Sequence, residues 1–200
     1  MFAARDVRGY ALAALLFLLV AGCSSIRPLV DTPNLYAAGA AYPDNEIPDG
    51  LKTPFADILY VTDRRQAKDE KGRPDYDAGR SRSVAFGSVT VEIGREATWP
   101  SIVKASQSAE RKKKIPLTVR SVDELARYPE TPLPFTVVNG NPQTDAAALA
   151  RYDDTNSALR EEIRTRLASA GSNEVLLFVP GFNTPFDEAA FITTEIWHFT

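Results

Sequence analysis

Val175 to Val179 form an uninterrupted apolar run that breaks at Pro180-Gly181, passes through Phe182-Asn183-Thr184-Pro185, and resumes as an amphipathic segment. The chemistry available to such a junction lies in its backbone. A tight loop between a strand and a helix can present N–H groups toward negative charge developing on a substrate oxygen. Acyl transfer at that oxygen also needs a nucleophile and a base, and the sequence is poor in both. There is no G-x-S-x-G turn to display a serine, and the single histidine, His198, reads as an ordinary helix residue. Ser88 and Ser108 have no identifiable base. No metal-ligand spacing and no cofactor motif is found, so no metal or cofactor is expected.

A second reactive position stands near the start. Arg5 and Arg8 precede ALAALLFLLVAG, an apolar run that closes on small residues immediately before Cys23. This is the anatomy of a signal peptide over residues 1–22. The run is shorter than the roughly 20 apolar residues that a membrane-spanning helix requires. Val20-Ala21-Gly22-Cys23 resembles the lipobox of bacterial lipoproteins, in which the cysteine is lipidated and becomes the first residue after cleavage. Small side chains at Ala21 and Gly22 suit entry into a peptidase, and the Cys23 thiol is the nucleophile that takes the lipid. The resemblance implies palmitate-type acylation and a membrane-lipid partner at Cys23. It also implies a bacterial envelope location facing outside the cytoplasm.

The elements that must position the loop follow from periodicity. Residues 23–54, with prolines at 28, 33, 43, 48 and 54, read as a lipidated cysteine and a Pro-rich tether. The folded part begins at Phe55, where ADILYVTDRR reads as a short strand followed by a charged loop, KDEKGRPDYDAGR. SVAFGSVTVEIG alternates Val89, Val91 and Ile93 with Ser88, Thr90 and Glu92, the pattern of a half-buried strand. Ser121 to Glu124 matches a capping box before a short helix that Pro129 would end. The basic run 111–114 reads as a solvated loop. Residues 144–170 read as a helix with Leu159, Ile163 and Leu167 on one face and Gly171 as C-cap.

The Val175–Val179 run has no polar alternation, so it predicts a strand buried on both faces of an α/β sheet, with its carboxyl end at a ligand crevice. Thr184-Pro185-Phe186-Asp187 reads as N-cap, proline at the first helical position and an early acidic residue, with Phe186, Ala190, Thr193 and Trp197 along one face. The mixed charge, net −3, gives no basic field for nucleic acid, which is excluded as a partner.

LLFVPGFNTPFDEAAF resembles the third-strand region of α/β-hydrolases. With ILYVTDRR, SRSVAFGSVTVEIG and SAERKKKIPLTVRSVDEL, most of 55–200 is similar to a group of poorly characterised bacterial α/β-hydrolase-like proteins. The resemblance implies a fold class of α/β, a partial α/β-hydrolase-like sheet with flanking helices, over residues 55–200. It assigns Phe182 the backbone N–H of an oxyanion hole, Gly181 the close backbone approach, and Asn183 a loop-shaping or substrate-binding role. Pro180 replaces the family's histidine, removing an N–H and fixing φ. The family's serine, acid and histidine lie downstream of this loop. The chain is therefore expected to be the N-terminal part of a hydrolase-like protein, truncated after the loop and the helix that follows. Two functions follow: a lipid-anchored hydrolase class acting on a small ester or acyl substrate, present here as an inactive fragment, or a non-catalytic envelope lipoprotein that binds or supports.

Overall fold

The computed structural model describes residues 27–69, 72, 74–108, 111, 113–171 and 173–200. Residues 1–22 and Cys23 lie outside the described residues. The fold is mixed α/β. Its centre is an antiparallel sheet of β1 (Phe55–Lys68), β2 (Pro74–Ile93) and β3 (Leu117–Arg127), in that order. The expected alternation is met in β2 from Ser88 to Val91, with Val89 and Val91 buried and Ser88 and Thr90 half-exposed; it fails at Glu92, which is buried beside Ile93 and pairs with Arg120. Val89 pairs with Ile58 on one side and Val122 on the other, so one face of the sheet carries a continuous apolar stripe.

The expected charged loop of residues 68–80 is mostly strand: β2 begins at Pro74. Ion pairs zip its outer end to β1, Arg65 to Asp77 at 2.8 Å and Arg80 to Asp63, while Tyr76 turns inward and is buried. The expected helix after Ser121 is also replaced by strand, because Ser121 to Glu124 lie within β3. There Val122 is buried against Val89, and tertiary packing of β-branched residues outweighs a local capping pattern.

Residues 27–54 are not a tether. Leu29 is 3% exposed, and its N–H donates to the Ile115 carbonyl at 2.7 Å, while Leu117 N–H donates to the Arg27 carbonyl at 2.8 Å. Prolines remove donors from this segment but do not stop Leu29, Tyr36 and Tyr42 from burying apolar surface, worth roughly 1.5–3 kcal/mol for a fully buried large aliphatic or aromatic side chain. The segment includes α1 (Asn34–Ala37) and a 3-10 turn at Asp49–Leu51. The basic run is likewise only partly solvated, since Arg111 is half-buried and donates to the carbonyls of Ala105 and Leu29.

Helix α2 (Trp99–Ser106) opens with a reciprocal Thr98–Ser101 capping box. A short exposed hairpin, β4 (Phe135–Val138) and β5 (Asn141–Thr144), turns through Asn139 and Gly140, both at positive φ. Helix α3 (Ala146–Ala170) is capped by the Asp145 carboxylate, which accepts from Ala148 N–H at 2.8 Å, and stops at Gly171 with φ 63°. Leu159, Ile163 and Leu167 are half-buried, and Arg166 clips α3 to β1 through the Asp57 carbonyl at 3.0 Å. Helix α4 (Phe186–Phe199) closes the sheet's apolar face, with Phe186, Ala190 and Phe191 in the same core as Val89, Val91 and Ile93. No described helix is long and apolar enough to cross a membrane.

Candidate functional site

The Gly181–Asn183 loop is fastened at its helical end. Arg64 on β1 donates through Nη2 to the Thr184 carbonyl at 2.6 Å, and Thr184 N–H closes back on the Gly181 carbonyl at 3.3 Å. Asn183 takes φ 65°, the left-handed turn conformation that asparagine tolerates better than most residues. Helix α4 starts at Phe186, one residue later than expected. Pro185 stands at the cap without a side-chain hydrogen bond, and Thr184 does not serve as cap. Asp187 and Glu188 lie in the first turn, where the positive end of the helix favours negative charge.

Phe186 is the loop's apolar anchor. Its ring stands 5.0 Å from Tyr60 and 4.9 Å from Tyr76, and is 8% exposed. Behind it runs a polar relay: Tyr60 and Tyr76 hydroxyls meet at 3.0 Å, Tyr76 donates to Glu124 at 2.6 Å, and Arg127 Nε donates to Glu124 at 2.8 Å. Burial, and then the Glu124 hydrogen bond, push the Tyr76 phenol well above its ordinary value. Burial alone would raise the Glu124 carboxyl, but the Arg127 and Tyr76 hydrogen bonds reverse this and hold it below the usual range. A Cβ at Gly87 would collide with the Asp123 carbonyl and the Tyr60 ring, so the close approach of β2 to β3 beside the relay requires glycine there.

The apolar run before the loop departs from expectation. Val175–Val179 belongs to no strand, and Val175, Leu176, Leu177 and Val179 are 68%, 60%, 82% and 75% exposed. A strand exists only with a partner backbone, and none of the described residues pairs with this run. The Phe182 ring is fully exposed, and the space where a Gly181 side chain would point is open except for Thr184 Oγ1 at 3.8 Å. Gly181, Phe182 and Asn183 thus form an accessible surface turn held at its carboxyl end, and Pro180 beside them is exposed as well.

A Ser–His contact lies elsewhere, between residues that sequence reasoning did not connect. Ser106, the last residue of α2, and His198 on α4 meet at 2.7 Å between Oγ and Nε2. Tyr42 stands 3.2 Å from Nδ1 and donates to the His198 carbonyl at 2.6 Å. His198 is therefore not an ordinary helix residue. It is 3% exposed, and burial together with the charge of Arg111 pushes its pKa down to about 4. The distance suits a nucleophile and base, but Ser106 is wholly buried, and the partner at Nδ1 is a phenol where a triad has a carboxylate. The trio works as a clasp joining α2, α4 and the amino-terminal segment. Its sequence signal was the four-residue recurrence of 186, 190, 194 and 198 along the buried face of α4, which also carries Phe191 and Glu195; the expected Trp197 packs against the same core while half-buried, and the expected Thr193 is half-exposed and bonds the Ala189 carbonyl.

Of the other serines, Ser88 bonds Asp57 and lies 3.2 Å from Arg166 Nη2, while the Ser108 carbonyl accepts from Thr32 at 2.7 Å. Among the described residues, no group of three or more His, Cys, Asp or Glu side chains is placed to hold a metal ion.

Residues 155–200, which contain most of α3, the apolar run, the loop and α4, match a protein-family model described as an alpha/beta hydrolase of unknown function (DUF900). The match covers less than a quarter of the chain and supports similarity to the α/β-hydrolase superfamily. No curated protein and no solved structure matches the chain.

Proposed function

We propose that this is a lipid-anchored protein of the α/β-hydrolase type, from a class that cleaves ester or related acyl substrates outside the cytoplasm. In this reading Gly181–Asn183 is the oxyanion-holding loop, with the Phe182 N–H as donor, Gly181 giving access and Asn183 shaping the turn. One observation carries it. A run of strand-forming residues with open apolar side chains leads into a positive-φ turn that is clipped to the sheet by Arg64 and followed by a helix buried on that sheet. The family match falls on this same stretch.

These residues alone carry no turnover in this reading. Acyl transfer needs a serine that a substrate can reach and a base beside it, whereas the Ser106–His198 pair is closed. Anchoring rests on the lipobox resemblance of Val20 to Cys23. A single acyl chain binds a bilayer marginally, and the several chains of a bacterial lipoprotein hold it firmly. The coding sequence beyond the Thr200 codon tests the hydrolase class. A G-x-S-x-G turn followed by an acid and a histidine, in any frame, supports it. Their absence contradicts it and favours the second reading, a non-catalytic envelope lipoprotein, for which the sealed Ser106–His198 pair speaks.

A further inference from the structure

The amino-terminal segment, α2 and α4 border a cavity of about 290 Å³ whose lining is rich in aromatic side chains. Tyr36, Tyr42, Trp99, Trp197 and Phe199 border it; among the described residues Glu46 supplies its only acidic side chain, no lysine or arginine lines it, and His198, which also does, is held neutral by burial. Tyr36 and Tyr42 lie 5.5 Å apart between ring centroids, Tyr36 and Phe199 6.2 Å, and Tyr42 and Trp99 6.1 Å, so these four rings pack on one another as one aromatic wall. The Trp99 indole N–H is already taken by Asp44 at 2.7 Å, which places a second carboxylate just behind that wall.

We infer that this cavity binds a small organic cation of the quaternary or methylated ammonium class. Aromatic faces carry negative electrostatic potential and attract such cations, which shed water more readily than a primary ammonium does. A purely apolar ligand would use the rings but gain nothing from Glu46. An anion would meet both the rings and the carboxylate unfavourably. The volume exceeds that of a trimethylammonium group and leaves room for a short substituent such as the ethanol arm of choline. This site is independent of the hydrolase reading, because the cavity shares no residue with the Gly181–Asn183 loop.

The chain's two tryptophans, Trp99 and Trp197, both border the cavity, so intrinsic fluorescence reports its occupancy directly. The full chain in a nonionic detergent is titrated with tetramethylammonium, choline and 3,3-dimethylbutanol, the neutral carbon counterpart of choline. The expected result is saturable quenching by both cations with a dissociation constant on the order of 1 mM, and at least about tenfold weaker response to the neutral alcohol. Glu46→Gln, at an exposed position, should weaken choline about fivefold, the scale of one exposed charge pair, with an unchanged circular dichroism spectrum. In a detergent-free arm, the chain reconstituted with phosphatidylcholine vesicles or with phosphatidylglycerol vesicles separates a lipid headgroup from a free cation as the source. Equal binding of choline and 3,3-dimethylbutanol to the unmodified chain, or no saturable quenching by any cation or vesicle, would overturn the inference without touching the loop assignment.

Discussion

Arg64 and Thr184 are 120 positions apart, yet the Arg64 guanidinium donates to the Thr184 carbonyl at 2.6 Å and so ties the turn after Gly181 to the sheet. That bond separates a fastened loop from a free one. A charged hydrogen bond of this kind contributes roughly 1.5–3 kcal/mol where it is protected from water. Arg64→Ala should raise hydrogen exchange of the Thr184 amide, which is bonded to the Gly181 carbonyl, more than that of the β2 core, and Arg64→Lys should do so less. Equal protection in Arg64→Ala and the unmodified chain would show that the loop does not depend on this clip.

Phe186 is the apolar half of the same anchor. Phe186→Ala should destabilise by about 3–5 kcal/mol, the cost of emptying a ring-sized site, whereas Phe186→Leu should lose about 2 kcal/mol or less. Urea midpoints read both. A loss below about 1 kcal/mol for the alanine variant would mean that Tyr60 and Tyr76 collapse into the gap.

His198 makes stability depend on pH with a defined sign. Its folded pKa, about 4, lies below its ordinary value of 6.5, so on acidification the unfolded chain binds the extra proton first. The contribution is complete above pH 6.5 and is lost as pH falls toward 4. It amounts to ~3 kcal/mol at most, at ~1.4 kcal/mol for each tenfold difference in proton affinity between the folded and unfolded chain. His198→Gln, which keeps a polar partner for Ser106, should flatten the thermal-midpoint profile over that window. A wild-type profile as flat as the variant's would contradict a neutral buried imidazole.

At the amino terminus, expression in a bacterium with the lipoprotein pathway should give a membrane-bound protein lacking residues 1–22, with mass added at Cys23. Cys23→Ser should remain unlipidated. An unmodified Cys23 in the mature protein, read by mass spectrometry, would rule out the anchor.

What the sequence made legible was local. Helix α3 announced itself through its spacing and Gly171, and the inner half of β2 through the alternation of Ser88 to Val91, which stops at the buried Glu92. The partnerships across the chain were hidden. Tyr42 and His198 are 156 positions apart and Ser106 and His198 are 92 apart, and no periodicity relates them. Prolines at 28 to 54 read as a solvated tether because they forbid regular structure, yet they leave aromatic side chains free to pack. Val175–Val179 shows the opposite failure. Its composition favours a strand, but a ladder needs a second backbone, and composition says nothing about where that partner is.

Reaction with a fluorophosphonate probe asks whether these residues carry a donor loop without a working nucleophile. The full chain should show no labelled serine and no turnover of short-chain aryl esters, because Ser106 is wholly buried against a neutral His198. Stoichiometric labelling of one serine, abolished in a folded His198→Ala variant, would reverse that conclusion and make the Ser106–His198 pair the catalytic one.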